Sequence, residues 1–445
     1  MLLVHNHNHV CFRERNHTPA LYTFVILIFS LFQIATLPPE LWRECIRWAT
    51  LPPSGRLPLD DSLTALDLCP VGMPHDFYRL LYPETAYAFE QSRIYPTKRA
   101  LMLVSRAWTE LAVEFMYESL VVNYFGVGRP EQVLAALEGS AGLVLKKWVK
   151  RVDIFRCPRP PQKNSVCERL ARVGLPNLRM QNMVNNRDTE VVPLQNSLSE
   201  QPLHLIEACG SPVLDRLTSR AFGSLRCLTL WMVEPLVTPL HLPSSLRRLT
   251  IIPCKTAYLR VQNIFSTRDS FTLPNLTHLA LHHRNRSPDR LVRSMEIINH
   301  IGPQLRHLTL TVNVGGQDWR NGDDLCTILC VCTQLRELVI PSPLATWKAE
   351  PGDYGHPTLQ TLGVPITWKE DFESCIGIFS GRGAFPKLGV IRLVSQHGDT
   401  APWMEPYDLH LLGHGIRLED CCGRILAPAT VLDDQNSGCV DTVPL

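Results

Sequence analysis

A short apolar phrase recurs along much of this 445-residue chain and limits what that part can fold into. The phrase runs apolar, two variable residues, apolar, one variable residue, apolar. It occurs eight times, at Val149-Val152-Ile154, Leu225-Leu228-Leu230, Leu246-Leu249-Ile251, Leu276-Leu279-Leu281, Leu305-Leu308-Leu310, Leu335-Leu338-Ile340, Leu359-Leu362-Val364 and Leu388-Ile391-Leu393. From residue 225 onward, successive first positions are 21, 30, 29, 30, 24 and 29 residues apart. A unit recurring at this period is typical of a solenoid, whose units bury their leucines against one another.

The residues around the phrase indicate a strand that follows a turn. Proline stands just before several phrases, as in Leu273-Pro274-Asn275 and Phe385-Pro386-Lys387, and proline favours turns. Helix-like runs fill some gaps, at Arg290–Ile301 and Asp323–Cys332. The phrase resembles the strand half of a leucine-rich repeat. The alternative is a set of separate strand–helix units in a non-repeating α/β domain.

We therefore predict an α/β fold in which the phrases form short parallel strands of one sheet, stacked in chain order. The predicted strands are Leu225–Leu230, Leu246–Ile251, Leu276–Leu281, Leu305–Leu310, Leu335–Ile340, Leu359–Val364 and Leu388–Leu393.

Two amphipathic segments precede the repeats. Leu37–Thr50 reads as a helix, with Pro39 in its first turn and an apolar stripe that includes Trp42 and Ile46. Thr97–Val122 reads as one helix with Thr97 as its N-cap, an apolar stripe at helical spacing and a strand-like tail. Periodicity alone is equally compatible with core helices of any globular domain.

The two segments together resemble the F-box, as it occurs in a large group of fungal proteins. The first carries L-P-P-E-L-W from Leu37 to Trp42. The second carries K-R-A-L-x-L-V-S-x-x-W from Lys98 to Trp108 and then F-M-Y-E-S-L from Phe115 to Leu120. The resemblance departs from the compact family pattern, because residues 51–97 form a 47-residue insert between the two halves.

The resemblance implies a substrate-receptor subunit of a cullin–RING ubiquitin ligase. The F-box would bind the Skp adaptor and hence the cullin complex, and the repeats would bind a protein target. The implied adaptor contacts are Leu37, Pro38, Leu41, Ile46, Val104 and Trp108. We expect these apolar residues to be exposed, since a small helix pair cannot bury them alone.

We expect four segments. They are an apolar leader at 1–36, an F-box-like helical domain at 37–125, a leucine-rich-repeat-like domain at 126–420 and a flexible tail at 421–445. The leader contains an uncharged stretch, Ala20–Leu37, at the lower length limit for a membrane span. Because polar residues interrupt that stretch and no cleavage pattern follows it, we favour a cytoplasmic or nuclear protein. The alternative is a membrane-anchored or secreted leucine-rich-repeat binding protein.

Charge and motifs exclude several function classes. The net charge is only +2, from 44 basic and 42 acidic side chains, so the totals give no case for nucleic-acid binding. We find no dinucleotide, P-loop, zinc-protease or nucleophile-elbow motif, and we predict no enzyme activity, no cofactor and no metal. The densest cysteine group, Cys326, Cys330 and Cys332, lacks partners at zinc spacing, and we expect it to pack in the core.

Overall fold

The computed structural model describes part of the chain. That part comprises residues 38–51, 83–123, 130–155, 166–184, 205–209, 225–232, 242–253, 273–283, 288–312, 322–340, 355–364, 384–393 and 413–419, with 373, 377, 379, 411 and 425. The predicted leader, most of the insert and the predicted tail except residue 425 lie outside the described residues. The chain divides into two compact units, Met1–Ala49 and Thr50–Leu445, which are treated separately.

In the first unit, helix α1 spans Pro39–Ala49 and follows the predicted segment closely. In the second unit the helices are α2 (Pro83–Val104), α3 (Arg106–Glu118), α4 (Pro130–Glu138), α5 (Gly142–Lys146), α6 (Val166–Val173), α7 (Pro288–Ile301) and α8 (Gly322–Val331). The strands are β1 (Ser119–Asn123), β2 (Arg151–Phe155), β3 (Met180–Val184), β4 (Leu205–Cys209), β5 (Cys227–Met232), β6 (Arg248–Pro253), β7 (His278–His283), β8 (His307–Val312), β9 (Glu337–Val339), β10 (Thr361–Val364), β11 (Val390–Leu393) and β12 (Arg417–Glu419).

Within the described residues, these twelve strands form one sheet in chain order from β1 to β12. Every neighbouring pair is parallel. The register is constant, because the first residue of each strand pairs with the first residue of the next, as in Arg248, His278 and His307. The predicted α/β class and the chain-order stacking of the predicted strands are both confirmed.

Each strand that follows a predicted phrase begins two residues later than predicted, because the first apolar residue of the phrase closes a turn. The N–H of that residue donates to the carbonyl three residues earlier, as in Leu246 to Pro243 and Leu305 to Gly302, at 3.0 and 2.9 Å. Proline occupies the second position of such a turn at Pro274, which fixes φ as a β-turn requires.

The residue after that first apolar residue joins neighbouring turns. We call it the entry residue. The N–H groups of an entry residue and of the following strand residue both donate to the carbonyl of the preceding entry residue. Thr277 and His278 thus share the Arg247 carbonyl at 2.9 and 3.0 Å, and Arg306 and His307 share that of Thr277. The entry residues therefore form a continuous backbone column beside the strands.

A second column of hydrogen bonds uses side chains of the turns. Asn177 Nδ2 donates to the Lys147 carbonyl at 2.6 Å, and Asn275 Nδ2 donates to the Ser244 carbonyl at 2.9 Å. Gln304 Nε2 similarly reaches the carbonyl of Leu273 at 2.7 Å. These polar side chains add hydrogen bonds between one turn and the preceding one.

The apolar positions of the phrase form the core, as the pattern predicts. Leu249, Leu279, Leu308 and Leu338 are at most 2% exposed, and the same holds for most of their equivalents. Helices α7 and α8 add further buried apolar residues to the same cluster. Strands β3, β4 and β12 extend the sheet at positions where we predicted no strand.

The second N-terminal segment differs from the prediction of one helix starting at Thr97. Helix α2 begins upstream at Pro83, and the helix breaks at Ser105, whose backbone is extended (φ −164°, ψ 167°). Ser105 caps α3, because its Oγ accepts from the Trp108 N–H at 3.2 Å. Thr109 Oγ1 donates across the break to the Met102 carbonyl at 2.6 Å. The strand-like tail is confirmed as β1.

The junction between α4 and α5 generates a stability prediction. A Cβ at Gly142 would lie 1.9 Å from the Leu137 backbone oxygen, whereas one at Gly389 meets nothing within 4 Å. We expect Gly142→Ala to lower the free energy of unfolding by about 2 kcal/mol or more, because backbone must move. Gly389→Ala is the matched control and should change it by less than about 0.5 kcal/mol. Urea denaturation measures both, and equal effects would contradict the described packing.

Candidate interaction surfaces

The residues predicted to bind an adaptor divide into exposed and buried groups. Leu41 is 50% exposed on α1, and Val104 is 59% exposed at the end of α2. Pro38 is also exposed. Ile46 and Trp108 are only 1% and 6% exposed, so the expectation that they lie at the surface is wrong. Leu37 lies outside the described residues.

The helical periodicity explains this division. Ile46 shares the inward face of α1 with buried Trp42, and Trp108 lies on the buried stripe of α3 with Ala112 and Phe115. Two exposed apolar residues that the sequence did not single out accompany the exposed group. They are Trp48 on α1, 71% exposed, and Leu103 on α2, 75% exposed. Each helix therefore leaves large apolar side chains uncovered.

The variable strand positions place a polar row on the sheet. The first residues of β6 to β9 are Arg248, His278, His307 and Glu337, which are neighbours by register. The rings of His278 and His307 are stacked, with centroids 4.1 Å apart and planes 8° from parallel. Glu337 Oε2 lies 3.7 Å from His307 Nδ1.

This row is under-satisfied. Three buried atoms, His278 Nε2, His307 Nδ1 and Glu337 Oε1, have no hydrogen-bond partner among the described residues. Desolvation, together with the neighbouring His307, Arg248 and Arg306, lowers the pKa of His278 to about 2. His278 is consequently neutral at physiological pH.

Charged side chains pair on the variable positions of β2, β11 and β12. Arg151 and Asp153 of β2 are completely buried and joined by two hydrogen bonds of 2.8 Å. Near the other end, Glu419 of β12 accepts from Arg392 and Arg417. The Arg392–Glu419 pair joins β11 to β12, and because a buried charge without its partner is costly, it favours the pairing of these two strands.

A small cavity of about 70 Å³ lies between α2, β1 and α4. Lys98 lines it, is buried, and donates to Gln91 Oε1 at 2.9 Å. Burial lowers the pKa of the Lys98 amine to about 8, although Glu118 acts in the opposite direction. The buried Ser119 Oγ also lines the cavity and lacks a partner among the described residues.

The cysteine group is only partly in the core. Cys332 is fully buried, and desolvation raises the pKa of its thiol to about 12, as expected for an unreactive packing residue. Cys330 is exposed, so the prediction that it packs in the core is wrong. Cys326 is partly buried, with its Sγ 3.9 Å from that of Cys330. No cluster of three or more His, Cys, Asp or Glu side chains suited to a metal ion occurs among the described residues.

Comparison with known proteins gives no relative: no family model matches the chain, and no curated protein matches it. In the described part of the chain, none of the helices has the length and apolar character needed to cross a membrane.

The stacked histidines predict a pH-dependent stability. The pKa of His278 is lowered from 6.5 in the folded chain, so the unfolded chain binds the extra proton as pH falls below 6.5. His278 therefore makes no pH-dependent contribution to stability above about pH 6.5. Below that pH, it lowers the free energy of unfolding progressively, by about 2 kcal/mol at pH 5.

We expect His278→Phe, which preserves a stacked ring, to lose less stability than the wild type between pH 7 and pH 5. Urea denaturation at each pH provides the measurement. His300→Gln on the exposed end of α7 is the control and should follow the wild-type profile. Identical profiles for His278→Phe and the wild type would contradict a buried neutral ring.

Proposed function

We propose that this chain is the substrate-receptor subunit of a cullin–RING ubiquitin ligase, with an F-box that binds the Skp adaptor. The observation that carries the proposal is the pair of exposed apolar residues Leu41 and Val104, at the positions that the F-box resemblance assigns to adaptor contact. An uncovered apolar surface on a helix indicates a protein partner.

The wider surroundings of these two positions support the same proposal. Trp48 and Leu103 extend the uncovered apolar surface of their respective helices. Aromatic and aliphatic anchors of this size are the side chains that dominate binding energy at protein interfaces. Ile46 and Trp108 are buried, so they are not proposed to contact the adaptor.

The repeats are proposed to be a leucine-rich-repeat-like solenoid that holds a protein target. The parallel sheet with neighbours in chain order is what such a solenoid requires. A receptor of this kind brings two proteins together and needs no catalytic side chain. Residence in the cytoplasm or nucleus follows as part of the proposal.

The test is direct adaptor binding by the purified full chain. We expect Leu41→Ala to weaken binding several-fold and Val104→Asp to weaken it tenfold or more, because the latter places an unpaired charge in an apolar contact. Isothermal titration with a purified Skp adaptor measures both constants.

Leu143→Asp is the matched control, since Leu143 is 81% exposed on α5, outside the proposed contact. It should bind the adaptor as the wild type does. Circular dichroism verifies the fold of each variant. A folded wild-type chain that shows no adaptor binding would refute the ligase proposal.

A further inference from the structure

The column of entry residues is strongly basic over half of the sheet. Its members before β3 and from β5 to β9 are Arg179, Arg226, Arg247, Thr277, Arg306 and Arg336. From Arg226 to Arg336, consecutive members are joined directly by backbone hydrogen bonds of 2.7–2.9 Å. With strands about 4.8 Å apart, the four intervals span about 19 Å. The column thus concentrates cations on a chain whose net charge is only +2.

Four arginines of this column, Arg179, Arg247, Arg306 and Arg336, follow turns without acidic residues. The described turns that precede the strands, at 175–178, 242–246, 273–276, 302–305 and 332–335, contain no Asp or Glu. The side chains of Arg179, Arg247, Arg306 and Arg336 make no ion pair or hydrogen bond within the described part of the chain. By contrast, Lys150, the entry residue before β2, pairs with Glu118 at 2.6 Å. Like charges held this closely repel, so a counter-charged partner would bind favourably.

We propose that this arginine column is the docking surface for an extended acidic peptide segment of a protein partner. The inference rests on the proposed function to the extent that the partner is the target of the repeats. Arg247, Arg306 and Arg336 are exposed and would contact the carboxylates of the segment directly. About six residues of extended chain match the length of the column.

The surface favours a peptide over a nucleic acid. Single-stranded nucleic acid is bound by a basic groove combined with exposed aromatic rings on which bases stack. The entry column offers arginine and threonine only, and the neighbouring His278 and His307 rings are stacked on each other. A guanidinium fork matches the carboxylate of Glu or Asp and the phosphate alike, so the lack of free stacking rings along the column is what favours the peptide.

Binding of a peptide of ten glutamates to the full chain, measured by fluorescence anisotropy at low salt, tests the proposal. We expect the wild type to bind it, a Gly-Ser peptide of equal length not to bind, and binding to weaken steeply with salt. Arg247→Ala/Arg336→Ala should bind about tenfold more weakly, whereas Arg247→Lys/Arg336→Lys retains charge and should retain most of the affinity. The matched control is Arg99→Ala/Arg106→Ala, two exposed arginines outside the column, which should bind normally.

Two results would overturn the proposal. One is equal affinity of the glutamate peptide for the wild type and the column variants, or no binding at all. The other is tighter binding of a ten-nucleotide oligothymidylate than of the glutamate peptide, which would assign the column to nucleic acid. Adaptor binding, measured on the same column variants, should be unchanged. If the wild type binds the glutamate peptide but not the adaptor, the ligase proposal alone is refuted and the peptide result stands.

Discussion

The sheet depends on one constraint: two successive N–H groups of each turn donate hydrogen bonds to the same carbonyl, that of the preceding entry residue. It fixes the height of each turn against the preceding one, since both the entry residue and the first strand residue reach back to the same atom. The constant register follows, and with it the alignment of every core leucine. A slip of one residue would turn Leu279 and Leu308 out of the core and destroy the burial that holds neighbouring units together.

The same constraint creates three parallel rows with different chemistry. Apolar residues face the core, the first strand residues form the row containing His278 and His307, and the entry residues form the arginine column. Because the rows are set by backbone geometry, the exposed side chains of the entry row can vary with little cost to the fold, whereas the row of first strand residues includes buried Arg151 and Glu337.

The sequence allowed the fold to be predicted wherever leucine spacing was regular, because periodic burial is a local signal. Leucine spacing did not predict β3 or β4. The turn before β3 could have been located, because Leu175-Pro176-Asn177-Leu178 repeats the sequence of residues 273–276. The break at Ser105 was also missed, since an apolar stripe continues through it and only the cap distinguishes two helices from one. Of the predicted adaptor residues, exposure could not be deduced for Ile46 and Trp108, because it depends on tertiary burial. The arginine column was invisible in the composition, since only the stacked turns bring its members together.

Hydrogen exchange of the turn amides tests this account most directly. The amides of Thr277 and His278 share one carbonyl, as do those of Arg306 and His307, and the account predicts that both members of each pair are strongly protected. Protection should be similar from one turn to the next, because each pair belongs to the same column. Exchange of these amides at the rate of an unstructured chain, or protection of only one member in each pair, would contradict it.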